Sequence, residues 1–196
     1  CEKKIYLIDR NSTGFKSIPL STVEKTRSSA ELKFCQVEGD EISHDPDIFD
    51  KAWNAGLVGL SADNLGAAQC ALDQAVEYAN QREQFNRVIA SFQAVKHMCA
   101  EMAAQLEPCR AMVWYAAHAF NEIPEESTMM ASHTKAHLSE VAQFVTRTAT
   151  EVHGGMGFTD LVGLHYWFKR CGFNRQALGS PELLRDRAAI AQDLAT

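Results

Sequence analysis

The chain reads as mainly α: an antiparallel bundle of four-helix type preceded by a short β segment. Three observations carry that reading. Apolar positions change from period two to spacings of three and four near Asp47. Three stretches of helical length and composition follow, parted at Arg82, at Pro124 and at Gly154-Gly155. No internal repeat or low-complexity segment interrupts them.

Residues 1–38 have the character of strands. Ile5 to Ile8 is a short apolar run closed by the turn-rich cluster Asp9-Arg10-Asn11-Ser12-Thr13-Gly14. Lys16 to Leu20 is a second strand, and Glu31-Leu32-Lys33-Phe34 alternates charge and apolar groups like a strand with one wet face. Three strands without a covering layer have little core, so they are expected to complete a larger sheet. The abrupt start at Cys1-Glu2-Lys3-Lys4 suggests one piece of a longer polypeptide.

Ile48 to Gln81 is the first helix, with Phe49, Trp53, Leu57, Leu60, Leu65, Ala68, Leu72, Ala75 and Val76 as its stripe. Gly56, Gly59 and Gly66 weaken it and are expected where a backbone or ligand comes close. The second helix spans about Ser91 to Asn121, kinked at Pro108, with Phe92, Val95, Met98, Cys99, Met102 and Leu106 on one face. Pro124-Glu125-Glu126 opens the third, which ends at Gly154-Gly155. A fourth spans about Leu161 to Ala177, and Ser180-Pro181-Glu182 opens a fifth that runs to the end. The domains expected are residues 1–45 and 46–196.

A net charge of −6 without a Lys/Arg block argues against nucleic acid or an anionic membrane surface as partner. No apolar run is long enough for a membrane span. Six scattered cysteines with no CxxC pair read as reduced, mostly buried thiols, which points to the cytoplasm.

Two segments carry chemistry. Arg82-Glu83-Gln84-Phe85 offers a guanidinium suited to phosphate beside an aromatic ring. By itself it also fits a helix C-terminus bearing a cation. Glu151-Val152-His153-Gly154-Gly155-Met156-Gly157-Phe158-Thr159 places three glycines in four residues, where backbone can approach a bulky ligand and present N–H groups to phosphate. It fits a helix connector as well.

In this order and spacing the two segments resemble the acyl-CoA dehydrogenase family. The likeness covers nearly the whole chain. Leu7-Ile8-Asp9-Arg10 and Gly14 resemble the end of its middle β-domain, and residues 46–196 its carboxy-terminal helical domain. The stretch Leu164-His165-Tyr166-Trp167-Phe168-Lys169-Arg170, then Leu178-Gly179-Ser180-Pro181, resembles bacterial members for bulky or steroid side-chain acyl groups. The resemblance implies FAD shared between two subunits, with Arg82, Gln84, Phe85, Gln93, Glu151, Gly154, Gly155 and Gly157 as its contacts. Glu151 stands where the family carries Gln, and a carboxylate repels a pyrophosphate.

The implied reaction is α,β-dehydrogenation of an acyl-CoA thioester, in which a carboxylate removes the α-proton. The family places that base at one of two positions, which fall here on Leu178 and Gly56. Neither takes a proton, so no catalytic residue is assigned. Asp50, Asp63 and Glu83 read as solvated helix charges. The implied partners are an acyl-CoA, a related chain in a homo- or hetero-oligomer, a tetramer by family habit, and an electron-accepting flavoprotein. His133 and His137 have metal-compatible spacing but no third ligand, so no metal is assigned. His153 reads as structural. The alternative is a non-enzymatic helical assembly module that kept the fold without flavin or base.

Overall fold

The computed structural model describes residues 4–42, 45 and 47–194. Two compact units divide the chain, Cys1–Trp53 and Asn54–Thr196.

In the first unit β1 (Tyr6–Leu7) pairs antiparallel with β4 (Asp40–Glu41), and β2 (Phe15–Leu20) with β3 (Ser29–Phe34). The expected strand at Ile5–Ile8 shrinks to two residues, and β4 was not foreseen. Gly14 sits at φ +88 with the Cys35 carbonyl so close that a Cβ would lie 2.0 Å from its oxygen. Only glycine fits that turn. Ile18, Leu20, Leu32 and Phe34 stay exposed on the β2–β3 ribbon. Two strands bury too little apolar surface to be stable alone.

The helices are α1 (Ile48–Gln81), α2 (Gln93–Glu122), α3 (Pro124–His153), α4 (Leu164–Gln176) and α5 (Pro181–Ile190). Side-chain pairs fix their directions. Asn54 donates to Thr128 Oγ1 at 3.0 Å near the start of α1 and α3, and Tyr78 stacks on His153 near their ends, so the two run parallel. α2 runs the other way: only Ile123 joins it to α3, Thr134 Oγ1 donates to the Met112 carbonyl, and Arg110 reaches Gln69. α4 is antiparallel to α3, with Arg175 beside Lys135 and His165 beside Thr150. The result is an up-down-up-down bundle.

α3 is the hub and packs against α2, α4 and α5. Three of its buried hydroxyls are satisfied within the helix, since Ser139, Thr146 and Thr150 each donate to the carbonyl four residues back. The α1 face toward the core is built of small residues, Ala67, Ala68, Ala71, Ala75 and Ala79, with Leu57 and Leu72. Other parts of its expected stripe are solvent-facing: Phe49 and Val76 are exposed. Gly56 is crowded, though by the Leu178 side chain rather than by a backbone or ligand, and a Cβ at Gly59 or Gly66 would meet nothing within 4 Å. α2 continues through Pro108 as one element. α4 starts at Leu164 rather than Leu161 because Gly163, at φ +69, forms its cap, and α5 stops at Ile190. Cys109 and Cys171 are buried and Cys99 partly so, whereas Cys35 and Cys70 are exposed, against the expectation of mostly buried thiols. Among the described residues no helix is long and apolar enough to cross a membrane.

An ion pair and a lysine are set into this bundle. Asp63 of α1 takes a forked pair of bonds from Arg170 of α4, Nε at 3.0 Å to Oδ2 and Nη2 at 2.6 Å to Oδ1. Asn174 bridges Asp63 Oδ2 at 2.6 Å and Asn64 Oδ1 at 2.9 Å. Asp63 is therefore a paired internal charge, not the solvated one the sequence suggested. Lys135 of α3 is fully buried, and burial, with the nearby Arg175 charge, lowers its pKa to about 8.

That shift has a measurable sign. Below about pH 8 Lys135 is protonated in both folded and unfolded chains. Between about 8 and its ordinary 10.5 only the unfolded chain holds the proton, so rising pH favours the fold, by up to about 3 kcal/mol. Cys109 and Cys171, pushed up to about 11 and about 12 by burial, act oppositely above pH 9. Denaturant unfolding at pH 7 to 10.5 should show the parent gaining stability relative to Lys135→Met as pH rises, because the cysteine contributions cancel in the difference. A difference independent of pH would contradict the assignment.

Candidate functional site

α1 ends at Gln81, and the chain reverses through a hairpin of β5 (Glu83–Gln84) and β6 (Arg87–Val88) before α2. The two turn residues, Phe85 and Asn86, have φ +55 and +59. That is the pattern of a type I′ turn, which usually takes Asn-Gly. A phenylalanine there costs about 1–2 kcal/mol. Local contacts offset it: the Phe85 ring meets Phe92 edge-on at 6.1 Å, and the Arg87 guanidinium lies 3.9 Å over the Phe92 ring. The Ile89 N–H closes the hairpin onto the Arg82 carbonyl at 2.8 Å.

Beside this hairpin α3 ends and continues as a 3₁₀ turn over Gly154–Phe158. His153 is buried, stacks on Tyr78 at 4.4 Å, and turns Nδ1 to the Ala149 carbonyl at 2.8 Å. It ties the ends of α1 and α3 together, which is the structural role expected of it. Between the two ends lies an open groove of about 430 Å³. Arg82, Gln84, Glu151, Gly154 and Gly155 line it, with Tyr78, Ile89, Val152, His153 and Met156.

Five of the eight expected cofactor contacts thus share one groove. Phe85 and Gln93 are not among its lining residues. Phe85 is 87% exposed at the hairpin tip, and Gln93 lies at the start of α2 with Nε2 3.4 Å from His97 Nε2. Gly157 has a different reason to be glycine: a Cβ there would stand 2.9 Å from the Thr150 carbonyl oxygen and 3.2 Å from His153 Cβ. At Gly155 a Cβ would meet nothing within 4 Å, so that glycine leaves space free. Gly157→Ala should therefore cost about 1–3 kcal/mol of stability, and Gly155→Ala well under 1, while only Gly155→Ala crowds the groove. Thermal melts of both variants separate packing from ligand room; equal losses would contradict the distinction.

The electrostatics favour one part of a dinucleotide over another. α1 and α3 both present their C-terminal, carbonyl-rich ends here, and these carry partial negative charge. The Gly154 N–H already donates to the Glu151 carbonyl, so it is not the free donor the sequence suggested. Glu151 adds a carboxylate, partly offset by Arg147 at 3.5 Å. Arg82 is the cation lining the groove. Such acceptor-rich walls suit hydroxyls and an amino group, the inventory of a nucleoside, better than phosphates.

A second feature lies at the opposite end of α1. Leu178 and Gly179 form the α4–α5 loop with φ +57 and +117. A Cβ built on Gly56 would stand 2.5 Å from Leu178 Cδ1. The two positions at which the sequence places a base are thus neighbours in space, and both are apolar. From Gly56 to Tyr78 is 22 residues of helix, about 33 Å at 1.5 Å per residue. The groove and this pole thus lie toward opposite ends of α1. Asp63 is held by Arg170, and Glu83 is exposed in β5. His133 Nε2 lies 3.1 Å from Gln192, and the described residues contain no group of three or more His, Cys, Asp or Glu able to hold a metal.

The model of the acyl-CoA dehydrogenase C-terminal domain matches residues 48–192. An acyl-CoA dehydrogenase of Mycobacterium tuberculosis, IpdE2, is 34% identical over 174 residues, covering 88% of this chain and 51% of its own. A 3-sulfinopropanoyl-CoA desulfinase of Paraburkholderia xenovorans is 38% identical over 138 residues, covering 70% of this chain and 35% of its own. The chain therefore spans about half or less of these relatives. Among solved structures, butyryl-CoA dehydrogenase of Megasphaera elsdenii superposes with a TM-score of 0.87 at 25% identity, over 94% of this chain and 50% of that one.

Proposed function

The chain belongs to the acyl-CoA dehydrogenase family, and on that premise we propose that it is a subunit of an FAD-dependent enzyme that α,β-dehydrogenates an acyl-CoA, to which it does not supply the base. The observation that carries this reading is the meeting of Gly56 and Leu178 at one point in space. A carboxylate on either would reach the same substrate atom, and neither residue has one. A related partner chain brings the Glu.

The groove fits its share of the cofactor as the nucleoside end. Arg82, Gln84 and the Glu151 carboxylate would hold ribose and adenine, with Gly154 and Gly155 leaving the space. Flavin, when bound, supplies the hydride acceptor. The separation of about 33 Å along α1 between groove and base pole supports a cofactor that crosses between subunits, each chain serving one site with its groove and another with its pole. An electron-accepting flavoprotein then completes the turnover.

The protein, purified as its gene encodes it together with its related partner chain, should be yellow and should sediment as an oligomer, a tetramer on the family pattern. A monomer with full flavin occupancy would contradict the shared cofactor. Colourless protein that adds nothing to the partner's turnover would favour the assembly-module reading.

A further inference from the structure

We propose that Lys135 is a positioning residue: its ammonium, held on the carbonyls of Arg175 and Gly179, sets the α4–α5 loop so that the side chain at 178 points at Gly56. Lys135 is the largest fully buried side chain of the bundle. Its Nζ donates to the Arg175 oxygen at 3.2 Å and to the Gly179 oxygen at 3.1 Å. Arg175 lies in the last turn of α4, where carbonyls lack helical partners and the helix dipole favours a cation. Gly179 lies just beyond, in the loop itself.

A loop at this place needs such a clamp. Leu178 sits at φ +57, a left-handed conformation that a leucine keeps only where its surroundings over-determine it. Backbone bonds near it are local, Ala177 N–H to the Phe173 carbonyl, Gly179 N–H to Gln176 and Leu184 N–H to Ser180 among them. Lys135 instead reaches in from α3, the hub. It fixes the loop to the rigid part of the molecule, and a group at 178 inherits that precision. The meaning of this for catalysis rests on reading 56 and 178 as the base pole. The clamp does not, and the experiment reads it without turnover.

The test is the rate of disulfide formation between Gly56→Cys and Leu178→Cys, in the full chain with Cys1, Cys35 and Cys70 changed to Ser. A Cβ at 56 would lie 3.9 Å from the Leu178 Cγ, the position the sulfur of Leu178→Cys would take, which sets the two side chains against each other. With Lys135 present the pair should close readily. In Lys135→Met, which keeps the side-chain length and removes the donors, closure should slow about tenfold while the bundle melts as one cooperative unit. An unchanged rate in a folded Lys135→Met protein would overturn the proposal. If that variant does not fold, Lys135→Gln is read by hydrogen exchange: faster exchange at Gly179 with unchanged protection at Leu138 and Val145 supports the clamp, and equal protection overturns it. Because neither readout involves flavin or substrate, a failed clamp and a failed dehydrogenase assignment are told apart.

Discussion

Assayed alone with an acyl-CoA and an artificial electron acceptor, this chain is expected to show no turnover, and its complex with the related base-bearing chain is expected to turn over. A positioned general base contributes about 10²–10⁴ in rate. At the pole where it would stand, this chain has Leu178 against Gly56. Asp63 does not stand in for it, because it is committed to Arg170. The reverse experiment is Leu178→Glu. Position 178 is already left-handed, at φ +57, so Glu pays no conformational cost that Leu does not. In a complex whose partner has lost its own base by Glu→Gln, Leu178→Glu should restore turnover at least about 10²-fold if the pole faces a flavin-loaded site. Turnover by the parent chain alone would refute the proposal. Restoration by Leu178→Glu would show that the pole still addresses a working site.

How much of this was legible in the sequence depends on the residue type carrying the information. Helix ends marked by glycine and proline were readable: Pro124 opens α3, Gly154 closes it, and Ser180-Pro181 caps α5, with Ser180 Oγ accepting from the Leu183 N–H. The β5–β6 hairpin was not, because its turn is Phe85-Asn86 and lacks the glycine that signals a type I′ turn. The burial of α3 was also hidden. A helix bearing Ser132, Thr134, Lys135, Ser139 and Thr146 looks wet, yet all five are fully buried. Their polar groups find partners within the helix or on neighbouring helices and loops, which periodicity does not record.

The candidate site divides the same way. Arg82 and the glycine loop were visible as motifs, and the groove unites them. The distinction between Gly155, which leaves space, and Gly157, which avoids its own helix, needs coordinates. So does the meeting of Gly56 and Leu178, residues 122 positions apart that sequence could connect only through family resemblance. Groove residues Tyr78 and Ile89 carried no signal that marks a ligand contact.

Asp63→Ala is expected to be the most damaging single change to stability, at about 3 kcal/mol. Asp63 and Arg170 are each roughly four-fifths buried, and the fork between them is closed by Asn174. Removing the carboxylate leaves a guanidinium and an amide facing a hole they cannot fill, and such losses run to about 3–5 kcal/mol for fully buried pairs. For a domain of this size that is a drop in Tm of roughly 10 °C. The exposed pair Arg147–Glu151 is the control: Glu151→Gln should move Tm by little, since such pairs contribute about 0–1 kcal/mol. Replacing both partners, Asp63→Leu with Arg170→Met, should recover much of the loss, because the cost lies in the unpaired charge more than in the pair. The same variants decide the chemical role of Asp63. A base would make Asp63→Asn inactive at unchanged Tm, whereas an internal ion pair makes it lower Tm with turnover of the complex following the folded fraction.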